Sequence, residues 1–287
     1  MSGKYEFPAY LSPSQINGLT TCGMQYVLTR GERVPERPTM GGVGGGAVHT
    51  LTEEIDRTGR IWSGEEIYAA WSAHYDVSIA EAEKSGFTLD QFYIGGRASA
   101  RWPDKENVDW WNHQGPIFVA QWQEWLATAG WEIADLYNPS TGEVLPAIEV
   151  EVTYRTSSGL EVLSYIDRVV KNTASGAHAV VDLKTGSMTP PWPLQMAYNG
   201  WGLYQCYDVL PRWSGYWKAR KGVVETWFDM DTMLQMEFID RQAEVANEIK
   251  KHELFMAVPS NLCASACGVK KYCPVYKTPE ENPSESE

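Results

Sequence analysis

An α/β fold is predicted for this chain by two features: short apolar, β-branched runs in series, and helical stretches before, between and after them. The runs "AIEVEVTYRT", "LEVLSYIDRVVKN" and "HAVVDLKTG" read as three strands, followed by the helix "WPLQMAYNGWGLYQCYDVL" and a fourth strand, "RWSGYWKAR". A further strand, "VVETWFDMD", is expected ahead of a long helix, "TMLQMEFIDRQAEVANEIKKHEL". A chain of 287 residues can bury a sizeable core, and residues 1–287 are expected to form a single domain.

The elements ahead of the strands are helical. Leu11 to Gly31 reads as one helix, with Ser12 as its cap, Pro13 in its first turn and Ile16, Leu19, Tyr26 and Val27 on its apolar side. Cys22 falls inside it. Met40 to Gly59 reads as a glycine-rich loop running into a helix that carries His49. The stretch "GGVGGGA" loosely matches a dinucleotide-binding pattern, but no strand precedes it and no Gly-Lys-Ser/Thr follows. Its glycines are better read as permitting close backbone approach. Residues 60–133 are expected to be a helical insertion or lobe, in which Trp110 and Trp111 are candidates for stacking on bases or for the core. The acidic, proline-containing tail at 278–287 is expected to be disordered.

Composition narrows the function classes. With 43% hydrophobic residues, 21% charged and 13 tryptophans, the chain is globular and aromatic-rich. No apolar run reaches the roughly 18 residues needed to span a bilayer, and the N-terminus lacks a signal-peptide pattern. A soluble, cytoplasmic protein is expected. The net charge of −13 argues against nonspecific coating of nucleic acid. It leaves open an enzyme whose carboxylates hold cations. Basic residues gather locally in "WKARKG" and "GVKKYC".

In "VVDLKTG", side chains two apart on a strand share a face, so Asp182 and Lys184 project together. Taken alone, the pair is a salt bridge capping the sheet. Asp167 interrupts the preceding apolar strand, and pairing of the two strands would bring both aspartates to one end of the sheet. Close carboxylates repel unless protonated or bridged by a cation, for which Mg2+ is the natural choice. His49 can complete the set and shifts the balance toward Mn2+. Lys184 is then available to orient a water or stabilise phosphate charge, a set equipped for metal-assisted phosphodiester hydrolysis. Glu149 and Glu151 share a strand face and rank second, together with Arg168. Gln195 and Tyr198, three apart on the following helix, are candidates to reach a phosphate or a base.

Cys263, Cys267 and Cys273 cluster within residues 261–276, one thiol short of a tetrahedral site, and the distant Cys22 is an available fourth. Such a site would clasp the two ends of the chain. Four thiolates allow either zinc or a four-iron cluster. Cys206 reads as a buried helix residue.

On these residues the chain resembles the RecB-like nucleases of the PD-(D/E)xK superfamily, in the four-cysteine branch that includes the AddB nuclease domain and CRISPR-associated and phage exonucleases. The match runs from Leu11 to Pro274, leaving about 60–133 uncovered. "LSPSQINGLTTCGMQY", "GGGAVHTLTE", "LSYIDRVV", "VVDLKTG" and "LQMAYNGWGLY" resemble its first-cysteine helix, histidine motif, aspartate motif, Asp-x-Lys motif and glutamine-tyrosine helix. The resemblance implies a restriction-endonuclease-like core, a mixed β-sheet flanked by helices, with a helical insertion and a C-terminal iron-sulfur clasp. It implies His49, Asp167, Asp182 and the Leu183 carbonyl as metal ligands, Lys184 as catalytic lysine with Gln195 assisting, and a 4Fe-4S cluster on Cys22, Cys263, Cys267 and Cys273. Two departures stand out: the first two C-terminal cysteines are separated by three residues where the family has two, and Tyr198 follows Gln195 by three where the family has four. The expected activity is a Mg2+- or Mn2+-dependent DNA exonuclease acting on single-stranded ends in recombination, repair or replication, phage-encoded and acting in the host cytoplasm. Recombination or replication proteins and a second copy are its expected partners. The alternative is a noncatalytic DNA-binding or assembly subunit.

Overall fold

The computed structural model describes residues 5–187, 193–233, 236–261, 263 and 267–276; the tail expected to be disordered lies outside them. Ser12 caps the first helix, α1 (Pro13–Thr21), through a capping box: its hydroxyl accepts from Gln15 N–H while the Gln15 side chain accepts from Ser12 N–H. The helix then stops. Cys22 is extended, with φ −156° and ψ 93°, before α2 (Gly23–Tyr26) and a π-helical turn (Val27–Gly31). The single helix expected over Leu11 to Gly31 is thus broken at Cys22. At the break the C-terminal segment docks, with Met24 N–H donating to the Met256 carbonyl at 3.2 Å. A Cβ on Gly23 would lie 2.9 Å from Phe255 Cα.

The glycine-rich stretch is not a loop. Thr39 caps α3 (Met40–Thr58), accepting from Gly42 N–H at 2.9 Å, and the glycines lie within the helix. Packing explains them. A Cβ on Gly44 would fall inside the Trp111 indole, and one on Gly45 would lie 2.7 Å from Thr185 Oγ1. The helix axis therefore approaches both α5 and the end of a strand more closely than side chains would allow.

Next come α4 (Gly64–Glu83) and α5 (Val108–Thr128), then the strands β1 (Trp131–Ile133), β2 (Asp135–Tyr137), β3 (Val144–Pro146), β4 (Ile148–Arg155), β5 (Glu161–Asn172) and β6 (His178–Lys184). Helix α6 (Leu194–Tyr207) crosses to β7 (Trp213–Lys218), followed by β8 (Val223–Asp229), α7 (Met230–Met233) and α8 (Met236–Lys251). The main sheet runs β1-β5-β6-β7-β8, with β4 also on β5; β6 and β7 are parallel and the other pairs antiparallel. It is a mixed sheet flanked by helices. No helix among the described residues is long and apolar enough to cross a membrane.

The faces of the sheet carry separate cores. Val170, Val181, Leu183 and Trp217 pack with α3, α4 and α5, including Trp71, Trp111, Phe118 and Trp122. Trp111 thus lies in the core, its indole covering Gly44. Val150, Val152, Val180 and Tyr216 pack instead with Met196 and Leu203 of α6. A third cluster joins α1, through Ile16 and Leu19, to Ile239, Ala243 and Ala246 of α8.

One irregularity positions the site. In a strictly alternating strand Ile166 and Val169 would face opposite ways, yet both pack on the α6 side. The break falls at Asp167. Across the pair, Glu149 lies between the partners Ile148↔Arg168 and Val150↔Ile166 with φ 49°, a backbone conformation that side chains other than glycine seldom adopt. Strain at such a position is commonly retained where it serves a site.

Candidate metal centre

Five elements converge at the end of β6. Helix α3 brings His49, β4 brings Glu149, β5 brings Asp167, β6 brings Asp182 and Lys184, and the first turn of α6 brings Gln195. Ligand atoms of His49, Glu149 and Asp167 lie within 4.8 Å of one another. His49 Nδ1 stands 3.5 Å from Asp167 Oδ2, and its Nε2 stands 3.0 Å from the Leu183 carbonyl oxygen. Asp167 Oδ2 also accepts from Leu183 N–H at 2.8 Å, which ties β5 to β6 one step past the Arg168↔Val181 pair. Asp182 Oδ1 accepts from Gln195 Nε2 at 2.8 Å.

Asp182 is 2% exposed. Its Oδ2 forms an ion pair with Lys184 Nζ at 2.7 Å and has no other partner among the described residues. Burial raises the Asp182 pKa, and the charge of Asp167 raises it further, outweighing Lys184. Burial and then Asp167 raise Glu149 in the same way. These carboxylates are short of positive charge. The imidazole of His49 and the carboxylates of Glu149 and Asp167 form a hard donor set that suits Mg2+ or Mn2+, with Asp182 buried beside them and outside that group. The residues therefore fit a divalent cation.

A model of the PD-(D/E)XK nuclease superfamily matches residues 10–274. The chain belongs to the PD-(D/E)XK nuclease superfamily. Nucleases of this superfamily use divalent metals, in keeping with the acidic cluster at the end of β6. The Gene 69 protein of Mycobacterium phage D29 is 25% identical over 286 residues, covering 93% of this chain and 97% of its own. Among solved structures, a provisionally named exonuclease from Eubacterium rectale is 12% identical, with a TM-score of 0.48 over 94% of this chain and 90% of that one. The protein SSO0001 is 10% identical, with a TM-score of 0.37 over 81% of this chain and 96% of that one.

Within this PD-(D/E)XK domain the remaining candidates separate. Glu151 is exposed and accepts from the Tyr165 hydroxyl at 2.8 Å, outside the group formed by His49, Glu149 and Asp167. Tyr198 is turned into the core. It is fully buried, its ring stacks on Tyr154, and its hydroxyl donates to the Ile239 carbonyl at 3.1 Å, so it is not placed to reach a phosphate or a base, the role that the sequence suggests for it. Only Gln195 of that helix pair meets the site, because three residues of helix turn the side chains about 300°, leaving them on neighbouring but distinct directions.

Arg168 is fully buried behind the centre. Its Nε donates to Asp56 Oδ2 at 2.6 Å, and its Nη1 donates to Glu149 Oε1 at 3.2 Å and to the Asp167 carbonyl at 2.6 Å. Trp122 Nε1 donates to both Asp56 oxygens, at 3.1 and 3.0 Å. Burial raises the Asp56 pKa, while Arg168 and Trp122 favour its ionised form. Sequence reasoning missed Asp56; its one signal is the seven-residue spacing from His49, two helical turns along the same face of α3.

The four cluster cysteines, Cys22, Cys263, Cys267 and Cys273, are half-buried and carry free thiols. Burial raises the Cys267 thiol pKa; a backbone N–H at Val269 lowers it, and the charges of Cys263, Cys22 and Cys273 raise it. Cys22 therefore lies in the electrostatic neighbourhood of the C-terminal three. Cys22 sits at the α1–α2 break rather than within a helix, next to Gly23 and Met24, where the C-terminal segment docks. Cys206 is half-buried on α6, its Sγ bonded to the Thr153 carbonyl at 3.1 Å.

Proposed function

We propose that the chain is a divalent-metal-dependent DNA exonuclease that hydrolyses phosphodiester bonds at single-stranded ends. The convergence of His49, Glu149 and Asp167 beside Asp182 and Lys184 carries the proposal. His49, Glu149, Asp167, Asp182 and the Leu183 carbonyl are assigned to hold Mg2+ or Mn2+. The bound ion would supply a Lewis acid and lower the pKa of a water. Lys184, partly exposed beside a buried carboxylate, orients the attacking water or offsets charge growing on the phosphate. Gln195 fixes the Asp182 carboxylate through Oδ1, leaving Oδ2 turned to Lys184. Arg168 steadies Glu149 from behind.

The same reading assigns Cys22, Cys263, Cys267 and Cys273 to a 4Fe-4S cluster, with zinc as the alternative. The four free thiols and their mutual influence support a shared metal. A place in recombination, repair or replication of a phage genome, in the host cytoplasm, fits the activity and the phage relative.

The test incubates single-stranded DNA, labelled at one end or the other, with purified protein and Mg2+ or Mn2+, beside EDTA and Lys184→Ala controls. Degradation that both controls abolish supports the reading, and the label lost first gives the polarity. Wild-type protein that binds DNA and leaves it intact with either metal overturns it in favour of a binding subunit.

A further inference from the structure

We infer that the cleft between the α4–α5 connection and the end of β6 is a subsite for one unpaired nucleotide of a DNA strand, with Trp102 stacking on the base and Arg97 meeting a phosphate. The inference rests on the nuclease reading above and deepens it by naming what selects single strands.

The cleft has a volume of about 480 Å3 and is lined by Arg97, Trp102, Glu106, Trp110, Ser187 and Arg220, among others. It lies beside the metal centre. Ser187 follows Lys184 by three residues, and Arg220 Nε donates to the Thr185 carbonyl at 3.0 Å. Thr185 in turn packs on Gly45, four residues and so about one helical turn before His49 on α3.

The charges on the walls are not equivalent. Arg220 is held over the Trp110 ring at 5.0 Å and paired with Glu106 at 3.0 Å, so its charge is offset and it forms part of the frame. Arg101 lies over the Trp102 ring at 5.4 Å and donates to His113 Nε2 at 2.9 Å, and the His113 ring packs on the same indole at 5.5 Å, so this pair holds the indole in place and a base has to stack on the area that they leave open. Arg97 is exposed and has no hydrogen bond or ion pair among the described residues. In a chain of net charge −13, Arg97 places an exposed positive charge on the wall that also carries the half-buried Trp102 indole.

An aromatic ring beside a free guanidinium matches the two parts of a nucleotide, a π-face and an anion. Bases in a duplex already stack on their neighbours and do not offer that face. A single strand does, so the subsite favours unpaired DNA entering the metal centre.

The test measures binding of fluorescein-labelled oligo-dT and of a labelled duplex by polarisation, in EDTA so that nothing is cleaved, for wild type, Trp102→Ala, Trp102→Phe and Arg97→Ala. Trp102→Ala is expected to weaken single-strand binding by roughly 5- to 150-fold. Trp102→Phe should recover most of it, and duplex binding should not change. Arg97→Ala, on an exposed residue with no fold to disturb, is expected to weaken single-strand binding and reduce the salt slope by roughly 0.7. The subsite is overturned if wild type fails to bind oligo-dT, if Trp102→Ala and Arg97→Ala bind it as wild type does, or if duplex binding falls equally. Cleavage by wild type in Mn2+ is scored separately: loss of cleavage with the binding pattern intact removes the nuclease reading alone, and the reverse removes the subsite alone.

Discussion

Arg168 of β5 and Asp56 of α3, 112 residues apart in sequence, form a buried ion pair at 2.6 Å directly behind the carboxylates of the metal centre. The same guanidinium reaches Glu149 and the Asp167 carbonyl. One side chain thus sets both the helix-to-sheet distance and the Glu149 position. Removing one partner of such a pair leaves a buried charge without compensation. Arg168→Met is expected to destabilise the protein by about 3–5 kcal/mol, read as a lower urea midpoint. An unchanged midpoint would show that the pair is not what joins these layers.

The raised carboxylates make a pH prediction. A folded state that binds a proton more tightly than the unfolded chain loses stability as pH rises through the interval between the two pKa values. For Asp182 that interval runs from 3.8 to about 6, and Glu149 acts in the same direction. Metal-free protein should therefore lose stability between roughly pH 4 and pH 6.5 from these groups. Saturating Mn2+ should remove that decline, because the ion stabilises the ionised carboxylates. Melting temperatures across this range, with EDTA and with Mn2+, check it.

Glycines within a single helix give a sharp contrast. Gly44→Ala puts a methyl into the Trp111 indole and should cost about 1–3 kcal/mol. A Cβ at Gly46 meets nothing within 4 Å. Gly46→Ala should stabilise the helix by about 0.5–1 kcal/mol. Denaturation midpoints of the two variants should move in opposite directions.

That contrast also marks what the sequence made legible. Period-two alternation was enough to place Asp182 and Lys184 together, and the Ser12-Pro13 start was enough to place α1, because both are local properties of the chain. The helical state of Gly41 to Gly46 was not legible: glycine disfavours helix, and the compensating contacts come from Trp111 and Thr185, far along the chain. Glu149 and Glu151 looked equivalent for a similar reason. The choice between them depends on the β4–β5 register, which sets Glu149 opposite Asp167 and Glu151 opposite Tyr165 and has no residue-type signature. Tyr198 failed as a site residue because its hydroxyl finds a buried partner on α8, a tertiary fact.

The proposed assignment of Cys22, Cys263, Cys267 and Cys273 to one metal site predicts that the two ends of the chain respond alike. Cys22→Ser and Cys267→Ser should both remove metal from anaerobically purified protein and lower its melting temperature, although the residues are at opposite ends. Iron and zinc content, with the visible spectrum, distinguishes the cluster from zinc. Retention of full metal content by Cys22→Ser would separate the N-terminal thiol from the site.

His49, Glu149 and Asp167 are proposed to form one divalent-metal centre. Titration calorimetry of Mn2+ into wild type, Glu149→Gln and Glu151→Gln tests it most directly. Wild type should bind Mn2+ saturably, with affinity weakened by about tenfold or more in Glu149→Gln and unchanged in Glu151→Gln. Equal binding by Glu149→Gln and wild type, or equal losses in the two variants, would contradict it.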